Sequence, residues 1–210
     1  MNFSFALGDI EVENSGVIIY ETDEFLNSGS IIFLLPEHVF APSFSFVQLL
    51  DSLNFDHKFK SGRFTQLFGF SKYKYGSTSH NPVDFSENRF INEMFEFVNT
   101  TFPDFCLNSC LINYYPDLQS AMPEHSDNER CINENSFIVT ISLGYPRRMF
   151  FRDSRLGTRF CSVLLRNGSI LIFSKRSQSF FTHAIPREPT SFNTDDYSPR
   201  ISATFRFLEE

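Results

Sequence analysis

The chain holds five histidines, His38, His57, His80, His125 and His183, and one of them has a carboxylate in a spacing that chemistry can use. In MPEHSDNER, His125 is followed two residues later by Asp127, and on a strand residues two apart share a face. Alone the pair says little, since roughly 0.6 such pairs arise by chance in a chain of this composition. It gains weight from His183 in FFTHAIP, 56 residues after Asp127, and from a strand beginning 17 residues later at Arg200. Two imidazoles and a carboxylate on one face of a metal make the facial triad of non-haem Fe(II) sites. That triad leaves three positions open for a bidentate co-substrate and oxygen.

Such a centre needs a dry cavity and a cation for the far end of an anionic co-substrate. PRISATFRF (199–207) offers the cation: Arg200, Ser202, Thr204 and Arg206 alternate with Ile201, Ala203, Phe205 and Phe207, so a strand here has one apolar and one polar face. Read by itself, the polar face looks at water, as in any half-exposed antiparallel strand. Read beside the triad, it lines a ligand cavity with arginines as its anion-binding groups.

The elements that must hold these residues are mostly strands. CLINYY, FIVTISLG, RMFFRD, RFCSVLL, SILIFS and RISATFRF are short β-type runs separated by polar or turn residues, which implies a sandwich, barrel or jelly roll. Asn167-Gly168 between RFCSVLL and SILIFS predicts a hairpin of those two strands. Upstream, IIFLLP (31–36) is a short apolar run, and Phe46, Leu49, Leu50 and Leu53 predict a helix over 44–54. Phe90, Ile91, Met94, Phe95 and Val98 predict a second helix, capped by Ser86 and stopped by Pro103. PTSFNTDDYSP (189–199) reads as a loop.

With 210 residues the chain is long enough for one domain with a substantial core. Its 28 Phe and absent Trp favour flat rings packed on strands. The start, MNFSFALGDIEVEN, lacks the basic and apolar regions of a secretory signal, and no apolar run approaches ~18 residues. The expectation is an intracellular protein, cytoplasmic or nuclear, with no membrane segment. Cys106, Cys110, Cys131 and Cys161 are then expected as free thiols; Cys106 and Cys110 also have the spacing of half a metal site, without a second close pair.

The net charge of −7 is uneven: residues 1–60 hold 9 acidic and 2 basic residues, whereas 147–176 hold eight cations against Asp153 alone. That segment reads either as solvated hairpin surface or as a face for a polyanion.

These residues resemble the AlkB-like dioxygenases. The resemblance rests on Asn113 and Tyr115 in CLINYY, on His125, Asp127 and Glu129 in HSDNE, on ISLG at 141–144, on His183 and on RISATFR, in matching order and spacing over about 110–206. More weakly, GRFTQLFGFSKYKYG (62–76) resembles the family's nucleotide-recognition segment. The resemblance implies a β-rich α+β fold, a double-stranded β-helix (jelly roll) with flanking helices. It divides the chain into a 1–60 extension of the same domain, a 61–109 recognition segment and helix, and a 110–210 core.

By the same resemblance, His125, Asp127 and His183 are the iron ligands. Asn113, Tyr115, Arg200, Ser202, Thr204 and Arg206 surround 2-oxoglutarate, with Arg200 on its distal carboxylate and Arg206 toward its metal-proximal part. Glu129, Tyr73 and Tyr75 contact the target nucleotide, Phe68 or Phe70 replaces the Trp on which many relatives stack the base, and Arg148 faces phosphate. The implied reaction uses Fe(II), 2-oxoglutarate and O2 to demethylate N-alkylated bases such as 1-methyladenine and 3-methylcytosine in single-stranded RNA or DNA. Formaldehyde, succinate and CO2 are released. A monomer is expected, either a free enzyme or a domain of a viral replicase. Two other readings stay open: an oxygenase of this fold acting on a protein or small molecule, and a non-catalytic jelly-roll binding module.

Overall fold

The computed structural model describes residues 18–19, 32–35, 39–75, 78–157, 159–189 and 198–209, with the backbone alone at 18, 19, 75 and 159–161. In chain order the strands are β1 (Ile18–Ile19), β2 (Ile32–Leu35), β3 (His57–Lys58), β4 (Phe64–Gly69), β5 (Tyr73–Tyr75), β6 (Thr78–His80), β7 (Ser109–Tyr115), β8 (Met122–His125), β9 (Phe137–Gly144), β10 (Arg147–Asp153), β11 (Arg159–Leu165), β12 (Ile170–Ser174), β13 (Phe181–Ile185) and β14 (Arg200–Arg206). Among the described residues the α-helices are α1 (Phe46–Asp51) and α2 (Arg89–Thr101).

A major sheet runs β1-β2-β12-β9-β14-β7-β4-β3, a minor sheet runs β11-β10-β13-β8, and β5-β6 form a separate hairpin. Strands β7 to β14 pass repeatedly between the two larger sheets, as the expected double-stranded β-helix requires. Neighbouring strands of the two sheets pair antiparallel.

The predicted hairpin at Asn167-Gly168 is corrected by this topology. β11 pairs with β10 in the minor sheet, while β12 pairs with β9 and β2 in the major one. The turn is instead where the chain crosses between sheets. The Gly168 N–H donates to the Ser142 carbonyl at 2.7 Å and the Gly144 N–H to Asn167 Oδ1 at 2.9 Å. The turn residues dock on β9 rather than closing a ladder of their own.

Helix α1 is shorter than the 44–54 expected and begins at a capping box, in which Ser45 accepts from the Gln48 N–H and the Gln48 side chain from the Ser45 N–H. For α2 the cap is Asn88, whose side chain accepts from the Phe90 and Ile91 N–H groups. Ser86 lies instead in a 3-10 turn capped by Asp84. The α2 stripe Ile91, Met94 and Val98 is fully buried and shares a cluster with Ile201, Ala203 and Phe205 of β14 and Ile112 of β7. Burying each such side chain contributes roughly 1.5–3 kcal/mol, and truncating Ile91 to Ala would cost about 2–5 kcal/mol. The helices thus seal one face of the major sheet. Its other face meets the minor sheet across Tyr115, Ile138, Phe151, Phe173 and Phe181.

Candidate active site

β14 is buried along its whole length, so its polar face looks inward and the solvated-strand reading is set aside. It lies between β7 and β9, with Arg200 opposite Tyr115, Ser202 opposite Asn113 and Ser142, and Thr204 opposite Leu111 and Thr140. Gly144 makes room at the Arg200 end. Its φ is +88°, and a Cβ there would meet the Pro199 carbonyl oxygen at 2.4 Å and the Phe46 ring at 2.6 Å.

The cavity between the sheets is lined by Asn113, Tyr115, His125, Asp127, His183, Arg200, Ser202, Thr204 and Arg206. The structure therefore brings together the whole predicted ligand and co-substrate set, although its members come from β7, β8 and the residues after it, β13 and β14. Apolar Met122, Met149, Phe173 and Ile185 complete the wall.

His125 and His183 face each other in register between β8 and β13, their ring centroids 4.3 Å apart. With Asp127 they offer three ligand atoms within 4.8 Å of one another. The Pro123 carbonyl lies 2.9 Å from His125 Nδ1. A carbonyl only accepts, so Nδ1 carries the proton and Nε2 is left to ligate. Burial, reinforced by His125, pushes His183 down to about 3, which keeps its imidazole neutral. Burial alone would raise Asp127, but Arg206 together with His125 holds its carboxyl well below the usual carboxylate range. Arg206 Nη2 donates to Asp127 Oδ2 at 2.5 Å. Oδ1, 3.4 Å from His125 Nε2, is buried without a hydrogen-bond partner among the described residues. Two imidazoles, that of His183 held neutral by burial, and an ionised carboxylate with a spare buried oxygen fit Fe(II).

At the other end Arg200 is fully buried. Its Nη2 donates to Ser142 Oγ at 2.9 Å, while Nε and Nη1 have no hydrogen-bond partner among the described residues. Burial pulls this guanidinium down to about 10, Tyr115 opposing and Arg147 adding to the effect, so it remains charged at neutral pH. A buried, charged fork with two orphaned N–H edges is costly alone and fits a carboxylate. These residues suit 2-oxoglutarate as well as the triad suits iron.

Glu129 is half-buried near the metal end. Burial and the neighbouring Asp127 raise its carboxyl, while Arg206 and the Tyr73 hydroxyl pull the other way. Tyr73 is 1% exposed, and the Arg206 guanidinium stands 5.4 Å from its ring centre. The Tyr75 side chain and most of the 189–199 loop lie outside the described residues. Phe68 is not brought to the site: it is 1% exposed and stacks on Phe85 in the helix-side core. Phe70 also contacts Phe85 and Phe95 on the helix side.

The basic 147–176 segment is not one surface. Arg147 is fully buried, donating to the Asp117, Ser120 and Pro186 carbonyls and pairing with Glu188, and Lys175 is 8% exposed. Alternation along β10 turns Arg148 outward, away from the lining of the metal cavity. Cys106 is exposed and Cys110 is in the core; they form no metal cluster among the described residues.

Sequence reading missed Arg63, which is 1% exposed, stands over the Phe59 ring and donates through Nη1 to Asn113 Oδ1. It also missed Gln178 and Lys175, which contact the Asp127 backbone. Only the alternation of Arg63, Thr65 and Leu67 could have signalled the first, and nothing local signals the others.

Residues 56–206 match the sequence model of the 2OG-Fe(II) oxygenase superfamily. Over 106 residues the chain is 33% identical to the DNA oxidative demethylase ALKBH2 of Bos taurus, a match covering 47% of this chain and 36% of that protein. The chain thus spans little more than a third of that relative's length. The solved structure of OsALKBH1 superposes with a TM-score of 0.52 at 18% identity, covering 83% of this chain and 96% of that one; at that identity the likeness concerns the fold. With its jelly roll and its His-Asp-His centre, the chain belongs to the 2OG-Fe(II) oxygenase superfamily, with Fe(II), 2-oxoglutarate and O2 as its cofactors, and is similar to an AlkB-type member of it.

Proposed function

We propose that this chain removes N-alkyl groups from bases of single-stranded RNA or DNA, with 1-methyladenine and 3-methylcytosine as model substrates. The observation that carries the reading is Glu129, close enough to Asp127 and Arg206 to feel both charges, with the Tyr73 ring against Arg206. Both lesions present an exocyclic amino group next to the alkylated ring nitrogen. A carboxylate there accepts from that amino group and brings the N-methyl carbon toward the triad. The 33% identity with a DNA oxidative demethylase supports the same class.

Bound Fe(II), with 2-oxoglutarate and O2, supplies the oxidation that hydroxylates the N-alkyl carbon, the co-substrate leaving as succinate and CO2. His125, Asp127 and His183 hold the metal. Arg200 grips the distal carboxylate, and Asn113, Tyr115, Ser202 and Thr204 orient the remainder. The apolar wall excludes water from the reacting carbon. The hydroxymethylated base then releases formaldehyde. A target base must leave its stack to reach a buried centre, and a lesion that already blocks pairing, in a single strand, lowers that cost.

Mass spectrometry of methylated RNA and DNA oligonucleotides incubated with the protein, Fe(II) and 2-oxoglutarate tests the reading. Loss of the methyl mass with matching succinate is expected. Succinate formation that methylated oligonucleotides leave unstimulated would contradict it and favour a protein or small-molecule substrate.

A further inference from the structure

The three metal ligands are not held alike. His125 ends β8 and His183 sits within β13, where the strands pair them. Asp127 lies two residues past β8, in a stretch with no strand to hold it. Its peptide groups are buried and need partners from elsewhere.

Those partners come from the 3-10 turn Lys175–Ser179 between β12 and β13. The Asp127 N–H donates to Gln178 Oε1 at 2.9 Å, and Lys175 Nζ donates to the Asp127 carbonyl at 3.2 Å. Asp127, Gln178 and Lys175 are 2%, 4% and 8% exposed, so water does not substitute readily. Gln178 is itself oriented: its Nε2 donates to Ser177 Oγ at 3.0 Å, and that hydroxyl donates to the Ser174 carbonyl at 2.7 Å. Oε1 is therefore the atom turned toward Asp127. The Lys175 N–H donates to the Ser136 carbonyl at 2.9 Å, tying the turn to the start of β9. The turn leads directly into β13 and His183.

We infer that Gln178 and Lys175 are positioning residues of the metal centre, a two-point clamp on the Asp127 peptide that fixes the direction of its carboxylate. The inference rests on His125, Asp127 and His183 being the metal site. Arg206 already holds Oδ2. With the main chain clamped as well, the residue is fixed at both ends and Oδ1 stays aimed at the position between the imidazoles. Without the clamp, the ion pair to Arg206 is free to draw the whole residue toward the guanidinium.

The test is titration of Co(II) into the metal-free full chain, wild type against Gln178→Leu and Lys175→Met. The dissociation constant and the visible d–d spectrum are read, with melting of the metal-free proteins alongside. The clamp predicts a ten- to hundredfold weaker dissociation constant and an altered d–d spectrum in each variant that folds. If Gln178→Leu does not fold, Lys175→Met decides alone. Wild-type affinity and spectrum in the folded variants, with or without a lower melting temperature, would overturn the clamp and leave the metal site standing. Failure of the wild type to bind Co(II) would overturn both.

Discussion

The two arginines of β14 are both buried, yet they stand in opposite electrostatic states. Arg206 is compensated: its guanidinium is paired with Asp127 and lies near the Tyr73 ring. Arg200 has a serine hydroxyl and the Tyr115 ring, with two N–H edges left over among the described residues. A charge the protein neutralises itself is organising its own residues, whereas a charge left uncompensated in a cavity is waiting for a ligand. Arg206 lines the cavity beside the rest of the expected co-substrate set, and there it is also tied to the carboxylate of Asp127.

The largest effect should come from breaking the centre itself. His125→Ala is expected to abolish turnover while leaving the metal-free protein near wild-type stability, because its ring is partly exposed. Asp127→Ala should abolish turnover and also cost about 3–5 kcal/mol, since it leaves Arg206 buried and unpaired. Assays of succinate formation with denaturant melts separate the two. Equal melts would mean that Arg206 does not depend on Asp127.

The pair can also be broken from the other side. The folded Asp127 carboxyl lies below its usual value, so the stability it contributes is whole above the unfolded pKa of about 3.9 and is lost as pH falls through the folded one. Arg206→Met should therefore destabilise the metal-free protein by about 3–5 kcal/mol at neutral pH. The gap to wild type should narrow as pH falls, because in the variant burial of Asp127 is no longer opposed by Arg206 and its carboxyl takes up a proton before that of the wild type. A gap independent of pH would assign the loss to packing.

How much of this was legible in the sequence depends on distance along the chain. The β14 alternation and the His-x-Asp spacing are local, and both led to the site. Asn167-Gly168 is local too but misled, because turn residues serve a crossing between sheets as well as a hairpin. Ser86 and Asn88 are both competent caps, and only the path of the chain selects Asn88. Arg63 meets Asn113, and Gln178 meets Asp127, across 50 and 51 residues. No spacing rule reaches that far. Arg147 and Lys175 look like surface charge in the sequence, and only folding reveals the carbonyls that receive them.

The smallest effect is expected at the surface. Arg148→Glu should weaken binding of a single-stranded oligonucleotide modestly and lower the slope of log affinity against log salt by about one, with the stability unchanged. An unaltered slope would return Arg148 to solvated surface. Arg147, by contrast, reports on folding, and its reversal to Glu should unfold the chain.

The contrast between the two arginines is tested most directly by calorimetric titration of 2-oxoglutarate into Mn(II)-loaded wild type and Arg200→Lys. A lysine keeps the charge but not the planar fork. A loss of ~1.5–3 kcal/mol in co-substrate binding, roughly ten- to hundredfold, is expected, with Mn(II) affinity and oligonucleotide affinity unchanged. If Arg200→Lys binds 2-oxoglutarate as tightly as wild type, the orphaned edges of Arg200 do not face the co-substrate and the two arginines do not differ in the way described.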